Sequence, residues 1–239
     1  RTFLRESVMV TCGIVCCGAV GGLVGCGNGD NGETREEQAT QYERKILLKN
    51  FEEQLPFYKS AVSENKGGAG AEWVAENARA CFERLMTHIP YVGDAQNPLP
   101  KTLIQSVVAL SFYRSLRAGG DEIEQAGNLI VSAAEAGFGA MSEEEHRAQG
   151  DYQFTEEWYR MQRFAAEKSQ ERFYPEDWVF LFVEGIPGEF DWGWDFMECG
   201  IQKLYRTLHS EELMPYICIQ DFIVSKLEGT GLRRTKTLA

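Results

Sequence analysis

The chain has no excess of basic charge: 24 lysines and arginines stand against 36 aspartates and glutamates, a formal net charge of −12. A surface that acidic repels nucleic acid, and no basic patch offsets it. Nor is there a comfortable apolar run of the roughly 20 residues that a membrane-spanning helix needs. The one weakly hydrophobic stretch, Val8 to Leu23, is short and rich in glycine. Cysteine is sparse as well. There are seven, and Cys12, Cys16 and Cys17 lie within that stretch, so no dense disulfide framework is expected. No repeat period stands out, and no low-complexity tract follows the first segment.

What is present at the start is a possible address. Arg1-Thr2-Phe3-Leu4-Arg5 resembles the latter part of a twin-arginine export motif, with the chain as given beginning after the first arginine. Leu23-Val24-Gly25-Cys26 resembles a lipobox. These resemblances imply an export signal over residues 1–25, a diacylglycerol on Cys26, and a flexible polar tether over residues 26–34. The expected location is then the exported face of a membrane, reached through the lipid on Cys26; an uncleaved anchor helix is the alternative. Removing residues 1–25 takes away Arg1, Arg5 and Glu6 and moves the formal charge to −13. Twin-arginine export carries folded proteins, so folding would occur in a reducing compartment, with Cys81, Cys199 and Cys218 left as thiols of the folded part.

Residues 35–239 suit one domain with a real core. Arg35 to Ser60 reads as a charged helix that Pro56 interrupts or ends, and Asn65 to Gly70 as a glycine-rich loop. From Ala71, the apolar positions Val74, Ala78, Cys81, Phe82, Leu85 and Ile89 follow helical spacing, which makes Cys81 a core thiol. His88 ends that helix, before Pro90, where an imidazolium suits the dipole. Pro98 and Pro100 open the next helix, with Ile104, Val108, Phe112 and Leu116 at i+4 steps and Gly119-Gly120 as its stop. Asp121 to Ala136 reads as another. Ser142-Glu143-Glu144-Glu145 is a capping-box pattern, and Thr155 caps a helix on which Trp158, Met161 and Ala165 share a face. Trp158, Tyr159 and Phe164 read as core.

At Pro175 the pattern changes. Trp178 to Val183 is an apolar and aromatic run of strand length, expected to be buried on both faces. Residues 231–238 alternate and are threonine-rich, as an exposed or edge strand does. The expected fold class is therefore α+β, a mainly helical body with a small antiparallel sheet formed by the C-terminal region.

Between those strands, Asp195 to Leu208 reads as a helix. Met197, Ile201, Leu204, Tyr205 and Leu208 form its buried stripe, and Asp195, Cys199, Gln202 and Arg206 share the other face. Asp195 and Cys199 would then hold their Cβ atoms about 5 to 6 Å apart. A second pair, Cys218 and Asp221, follows in Pro215-Tyr216-Ile217-Cys218-Ile219-Gln220-Asp221, with Asp221 as an N-cap.

The order of FVEG at 182–185, Trp194-Asp195 followed by Cys199, Pro215-x-x-Cys218-x-x-Asp221, Gly229-Thr230-Gly231-Leu232-x-Arg234 and Thr235-x-Thr237-Leu238-Ala239 resembles the L-2-amino-thiazoline-4-carboxylate hydrolase family. The resemblance spans about a quarter of the chain. It implies that the two Cys/Asp pairs meet in space, and that a continuation beyond Ala239 supplies a further cysteine in a Cys-Asp-Phe strand. It also implies hydrolysis of a small cyclic amidine.

Three chemistries fit the residues. A cysteine thiolate attacks the amidine carbon while an aspartate, Asp195 or Asp221, moves protons; only His209 lies near in sequence as a histidine base. Alternatively Cys199, Cys218 and Asp221 contribute to a Zn²⁺ site that activates water. In the third, Cys199 and Cys218 form a stapling disulfide. A small anionic substrate would find Arg206, or Arg234 beside Arg233, as a bidentate clamp. Asp191, Trp192 and Trp194 would wall its pocket, and Glu184 is a spare acid. The runner-up function is a domain that binds a small molecule or metal without turnover.

Overall fold

The computed structural model describes residues 42–93, 97 and 99–238, together with the backbone of the two-residue strand β1 (Ser7–Val8). Apart from β1, the export signal, lipobox and tether proposed for residues 1–34 lie outside the described residues.

The first long element, α1 (Arg44–Leu85), is two antiparallel helices joined at Gly67, which holds φ 72° and ψ 170°. Three ion pairs step along the two arms in opposite directions: Lys59–Glu72 at 2.5 Å, Arg79–Glu52, and Arg44–Glu83 at 3.2 Å. The glycine-rich segment expected as a loop is this reversal. Pro56, expected to break the helix, lies inside it. Aromatic packing on both sides holds the chain helical there: Phe51 and Tyr58 stack on Phe112 with centroids 5.5 and 4.2 Å apart. A reversal needs positive φ, which glycine adopts without strain, whereas proline is fixed near −65°.

Against this hairpin lies α2 (Pro100–Ala118), with Pro100 in its first turn. Ile104, Val108, Phe112 and Leu116 are buried as their spacing requires, and so are Leu103, Val107 and Leu110, which makes α2 the central helix. The second arm of α1 buries Val74, Ala78, Cys81, Phe82 and Leu85 against it, and Ser115 Oγ donates to the Val74 carbonyl at 2.9 Å. Next come α3 (Ile123–Phe138), α4 (Glu143–Tyr152) and α5 (Glu156–Gln170). Both expected caps form: Ser142 and Glu145 make a reciprocal capping box, and Thr155 Oγ1 accepts from Trp158 N at 3.2 Å. On α5 the buried face is Trp158, Gln162 and Ala166, while Met161 and Phe164 are exposed. Phe164 is therefore not a core residue.

The antiparallel sheet is a hairpin of β2 (Val179–Ile186) and β3 (Phe190–Glu198). Its turn contains Gly188 at φ 86°, and Gly185 lies so close to β3 that a side chain there would run into the Asp191 carbonyl. One face packs on the helices: Phe180, Trp192, Trp194 and Phe196 are buried, whereas Leu181, Asp195 and Met197 face outward. Trp178, Val179 and Phe180 are all buried, but from Leu181 on the strand is covered on one face only, since no helix among the described residues lies over the outer one.

The chain then forms α6 (Gly200–Thr207), a 3-10 turn at Glu211–Leu213, α7 (Met214–Cys218), α8 (Gln220–Glu228) and the short strand β4 (Leu232–Arg233). Only residues 232–233 of the expected C-terminal strand are extended into a ladder, and they pair in parallel with β1. The whole is α+β and mainly helical, with one small antiparallel sheet. No helix among the described residues is long and apolar enough to cross a membrane.

Candidate functional site

The two Cys/Asp pairs expected from the sequence are arranged differently from that expectation. Asp195 belongs to β3, opposite Leu181, on the outward face of the hairpin. Cys199 is the residue that caps α6, in extended backbone at φ −117°, with its carbonyl accepting from Lys203 N at 3.0 Å. Asp195 and Cys199 therefore do not share a helical face, and Met197 is on the exposed side of a strand rather than in a buried stripe. The sequence carries a competing signal at this point: Trp192, Trp194 and Phe196 alternate with Asp191, Asp195 and Met197 at period two. Sheet burial of three large aromatics prevails over the helical reading.

Cys199 is 2% exposed, whereas Cys218, the last residue of α7, is half-buried. Tyr205 of α6 is fully buried. Its hydroxyl donates to the Ser106 carbonyl of α2 at 2.7 Å. Burial above all keeps this phenol from ionising, and the negative charge that Tyr58, Cys218 or Cys199 would carry adds to the effect. Both thiols thus lie within electrostatic reach of one buried hydroxyl. No disulfide joins Cys81, Cys199 or Cys218 to one another.

Asp221 is buried in the first turn of α8 rather than preceding it, and it pairs with Arg234 from beyond β4. Arg234 Nη1 also donates to the Cys218 carbonyl at 2.9 Å, and its guanidinium lies 5.0 Å from the Phe222 ring centroid. The loop between them is tied down by Ser225, whose Oγ accepts from Thr230 Oγ1 at 2.9 Å and from Leu232 N at 2.7 Å. Gly229 ends α8 in the left-handed conformation. At the far end, Gln202 Nε2 of α6 donates to the Leu238 carbonyl at 2.5 Å. The segment after β4 is thus tied to α6 through Leu238, and to α7 and α8 through Arg234.

The remaining candidates fall elsewhere. Arg206 is exposed. Arg234 is buried in its ion pair, so it is a structural partner of Asp221 rather than a clamp held open for a carboxylate. Trp194 is 2% exposed and packed between Trp192, Phe180 and Phe196 in the sheet core, which removes it from any pocket wall. Glu184 is held by Arg163 through two bonds of 2.6 and 2.8 Å, which lower its pKa, and it serves as a surface ion pair. Among the described residues no group of three or more His, Cys, Asp or Glu side chains is disposed to hold a metal ion. Cys199, Cys218 and Asp221 consequently do not form the zinc site considered above.

A cavity of about 180 Å³ opens beside the thiol region. Tyr58, Ser106 and Lys101 line one side, and Ile201, Ile217 and Gln220 the other. Ile201 and Gln220 each follow one of the cysteines by two residues, so the cavity lies next to the thiol-bearing segments, with the apolar side chains of Ile201 and Ile217 in its wall. Tyr58, Ser106 and Tyr205 had no signal of their own in the sequence, since each reads as an ordinary position on a helix. No family model, no curated protein and no solved structure matches this chain.

Proposed function

We propose that the chain is an exported, lipid-anchored hydrolase-like protein that opens a small cyclic amidine such as 2-amino-thiazoline-4-carboxylate. The observation that carries this reading is the junction of Cys218, Asp221 and Arg234, with a small cavity lined by residues that closely follow Cys199 and Cys218 in the chain. Cys218 is the more accessible thiol and the candidate nucleophile. In this chemistry the Cys218 thiolate adds to the amidine carbon, and the ring carbon–sulfur bond opens as a proton reaches the departing sulfur. Water then releases the carbamoyl product and restores the thiol. A guanidinium close to a reactive cysteine is the usual electrostatic support for such a thiolate. The lipid on Cys26 and the signal over residues 1–25 remain part of the same proposal.

The test is ring opening of the thiazoline by the purified protein, followed by mass spectrometry of the product. Loss of turnover in Cys218→Ser, with Cys199→Ser retaining a folded melting profile, supports the reading. Turnover that survives Cys218→Ser removes it.

A second reading, binding without turnover, is favoured by one observation: Cys199 is 2% exposed, where attack on a ligand would require the core to open. Binding of the thiazoline with no product formed would select this reading.

A further inference from the structure

A second cavity, larger than the one beside the thiol-bearing segments, is lined by residues from other parts of the chain. It encloses about 360 Å³ between the last turns of α5, the segment 171–177, Phe180 of β2 and the residues Val92, Gly93, Asn97 and Leu99. That volume suits a small molecule. Its walls carry four aromatic rings, Phe164, Phe173, Tyr174 and Phe180. Phe173 is 75% exposed and Phe164 is 51% exposed, so neither serves the core. Exposed aromatics gathered at the mouth of a cavity are the signature of a ligand surface rather than of scattered surface apolar residues. Arg172, in the same wall, holds φ 51°, a conformation that side-chain-bearing residues seldom adopt outside constrained sites.

The charge pattern decides the sign of the ligand. Lys168 at the rim is paired with Glu171 at 2.7 Å, and Arg172 with Glu198. Asp177 is different. Its Oδ1 accepts from the Trp178 amide at 2.8 Å and its Oδ2 from the Asn97 side-chain amide at 2.8 Å, both neutral donors. The Lys203 ammonium reaches only the Asp177 and Pro175 carbonyls, at 2.8 and 2.7 Å, and pairs with Glu198 at 2.5 Å. Burial holds the Asp177 carboxyl above its usual range, opposed by the two hydrogen bonds and weakly by Lys203. A carboxylate partly withdrawn from water, with no cation on its oxygens among the described residues, is stabilised by a cation brought to it, and the ring faces of the wall attract the same charge, as the Lys168 ammonium 5.8 Å from the Phe164 ring centroid already does.

We propose that this cavity binds a small aromatic ammonium ion, with its ring against Phe164 and Phe173 and its nitrogen at the Asp177 carboxylate. The site is independent of the thiol chemistry above: neither Cys199 nor Cys218 lines it. An acidic chain of net charge −12 also draws cations towards itself.

The test titrates the full chain with benzylammonium, benzoate and benzyl alcohol, three probes of one ring size and three charges, by calorimetry and protein-observed NMR. Benzylammonium is expected to bind at least tenfold more tightly than the other two, with resonances of segment 164–180 moving. Asp177→Asn is expected to weaken it about tenfold. Because Asp177 also orders Asn97 and the Trp178 amide, Phe173→Ala provides a second variant at an exposed position, expected to lose several-fold in affinity with an unchanged melting temperature. Affinity should also fall as the Asp177 carboxyl takes up its proton in acid, Glu171, Glu198, Lys168, Arg172, Lys203, Tyr42 and Tyr174 being the other titratable groups around it among the described residues. Benzoate binding as well as benzylammonium, no binding of benzylammonium at millimolar concentration, or affinity unchanged in both variants would overturn the proposal.

Discussion

Arg234 folds back across thirteen residues to pair with Asp221, and both side chains are almost wholly removed from water, at 8% and 0% exposure. The pair fastens the segment after β4 onto α8 and, through the bond to the Cys218 carbonyl, onto α7. Desolvating two charges is costly, so such a pair contributes little beyond what an apolar replacement would, yet breaking it leaves one buried charge uncompensated.

Arg234→Ala and Asp221→Ala are therefore each expected to lower stability by about 3 to 5 kcal/mol. The double variant should lose clearly less than the two losses added. Urea denaturation of the four proteins checks this; strict additivity would show that the two side chains do not act as a pair.

Glu228 carries the clearest pH signature. Burial raises its carboxyl from an ordinary 4.5 to about 7, only partly opposed by the Gln153 amide, which donates to Oε2 at 2.6 Å. Between about 4.5 and 7 the folded chain binds a proton that the unfolded chain has released, so this group makes stability fall as pH rises through that window. Glu228→Gln keeps the shape and removes the titration. The variant is expected to gain on the parent by up to about 3 kcal/mol towards pH 8, with little difference near pH 4. Thermal melts across this range read the effect, and parallel curves for the two proteins would contradict it.

The three cysteines among the described residues should differ in reactivity in the order of their exposure. Cys218 is half-buried, while Cys81 and Cys199 are 8% and 2% exposed. Brief alkylation of the native protein, resolved by peptide mass spectrometry, is expected to label Cys218 at least tenfold faster than the other two. All three should react alike in denaturant. Equal native rates would mean that the core around Tyr205 opens readily.

Much of the helical body was legible because its determinants are local. The stripe Val74, Ala78, Cys81, Phe82 and Leu85, the box at Ser142 and Glu145, the cap at Thr155 and the proline start of α2 each depend on residues within about one or two turns. The errors also have local causes. Pro56 is a helix breaker by its own chemistry, but Phe51, Tyr58 and Phe112 stack around it. Trp158, Met161 and Ala165 share a helical face, but α5 is rotated so that Trp158 is covered together with Gln162 and Ala166 while Met161 is exposed.

The candidate site was legible only as a list of residues. Cys218, Asp221 and Arg234 were named from their order in the chain, and the fold brings them together. Asp195 was assigned beside Cys199 by helical spacing, and its strand turns it to the outer face. For Trp194 the sequence shows an aromatic but not which side of a hairpin it occupies.

Local sequence settles the caps at Ser142 and Thr155, the proline start of α2, the apolar stripes of α2 and of the second arm of α1, the acidity of the chain and the scarcity of thiols, because spacing and composition act over a few bonds. Tertiary structure alone decided that Tyr205 meets Ser106 across ninety-nine residues and that Asn97 meets Asp177 across eighty. Such contacts depend on the packing of whole elements against one another, and no short-range pattern in the chain encodes them.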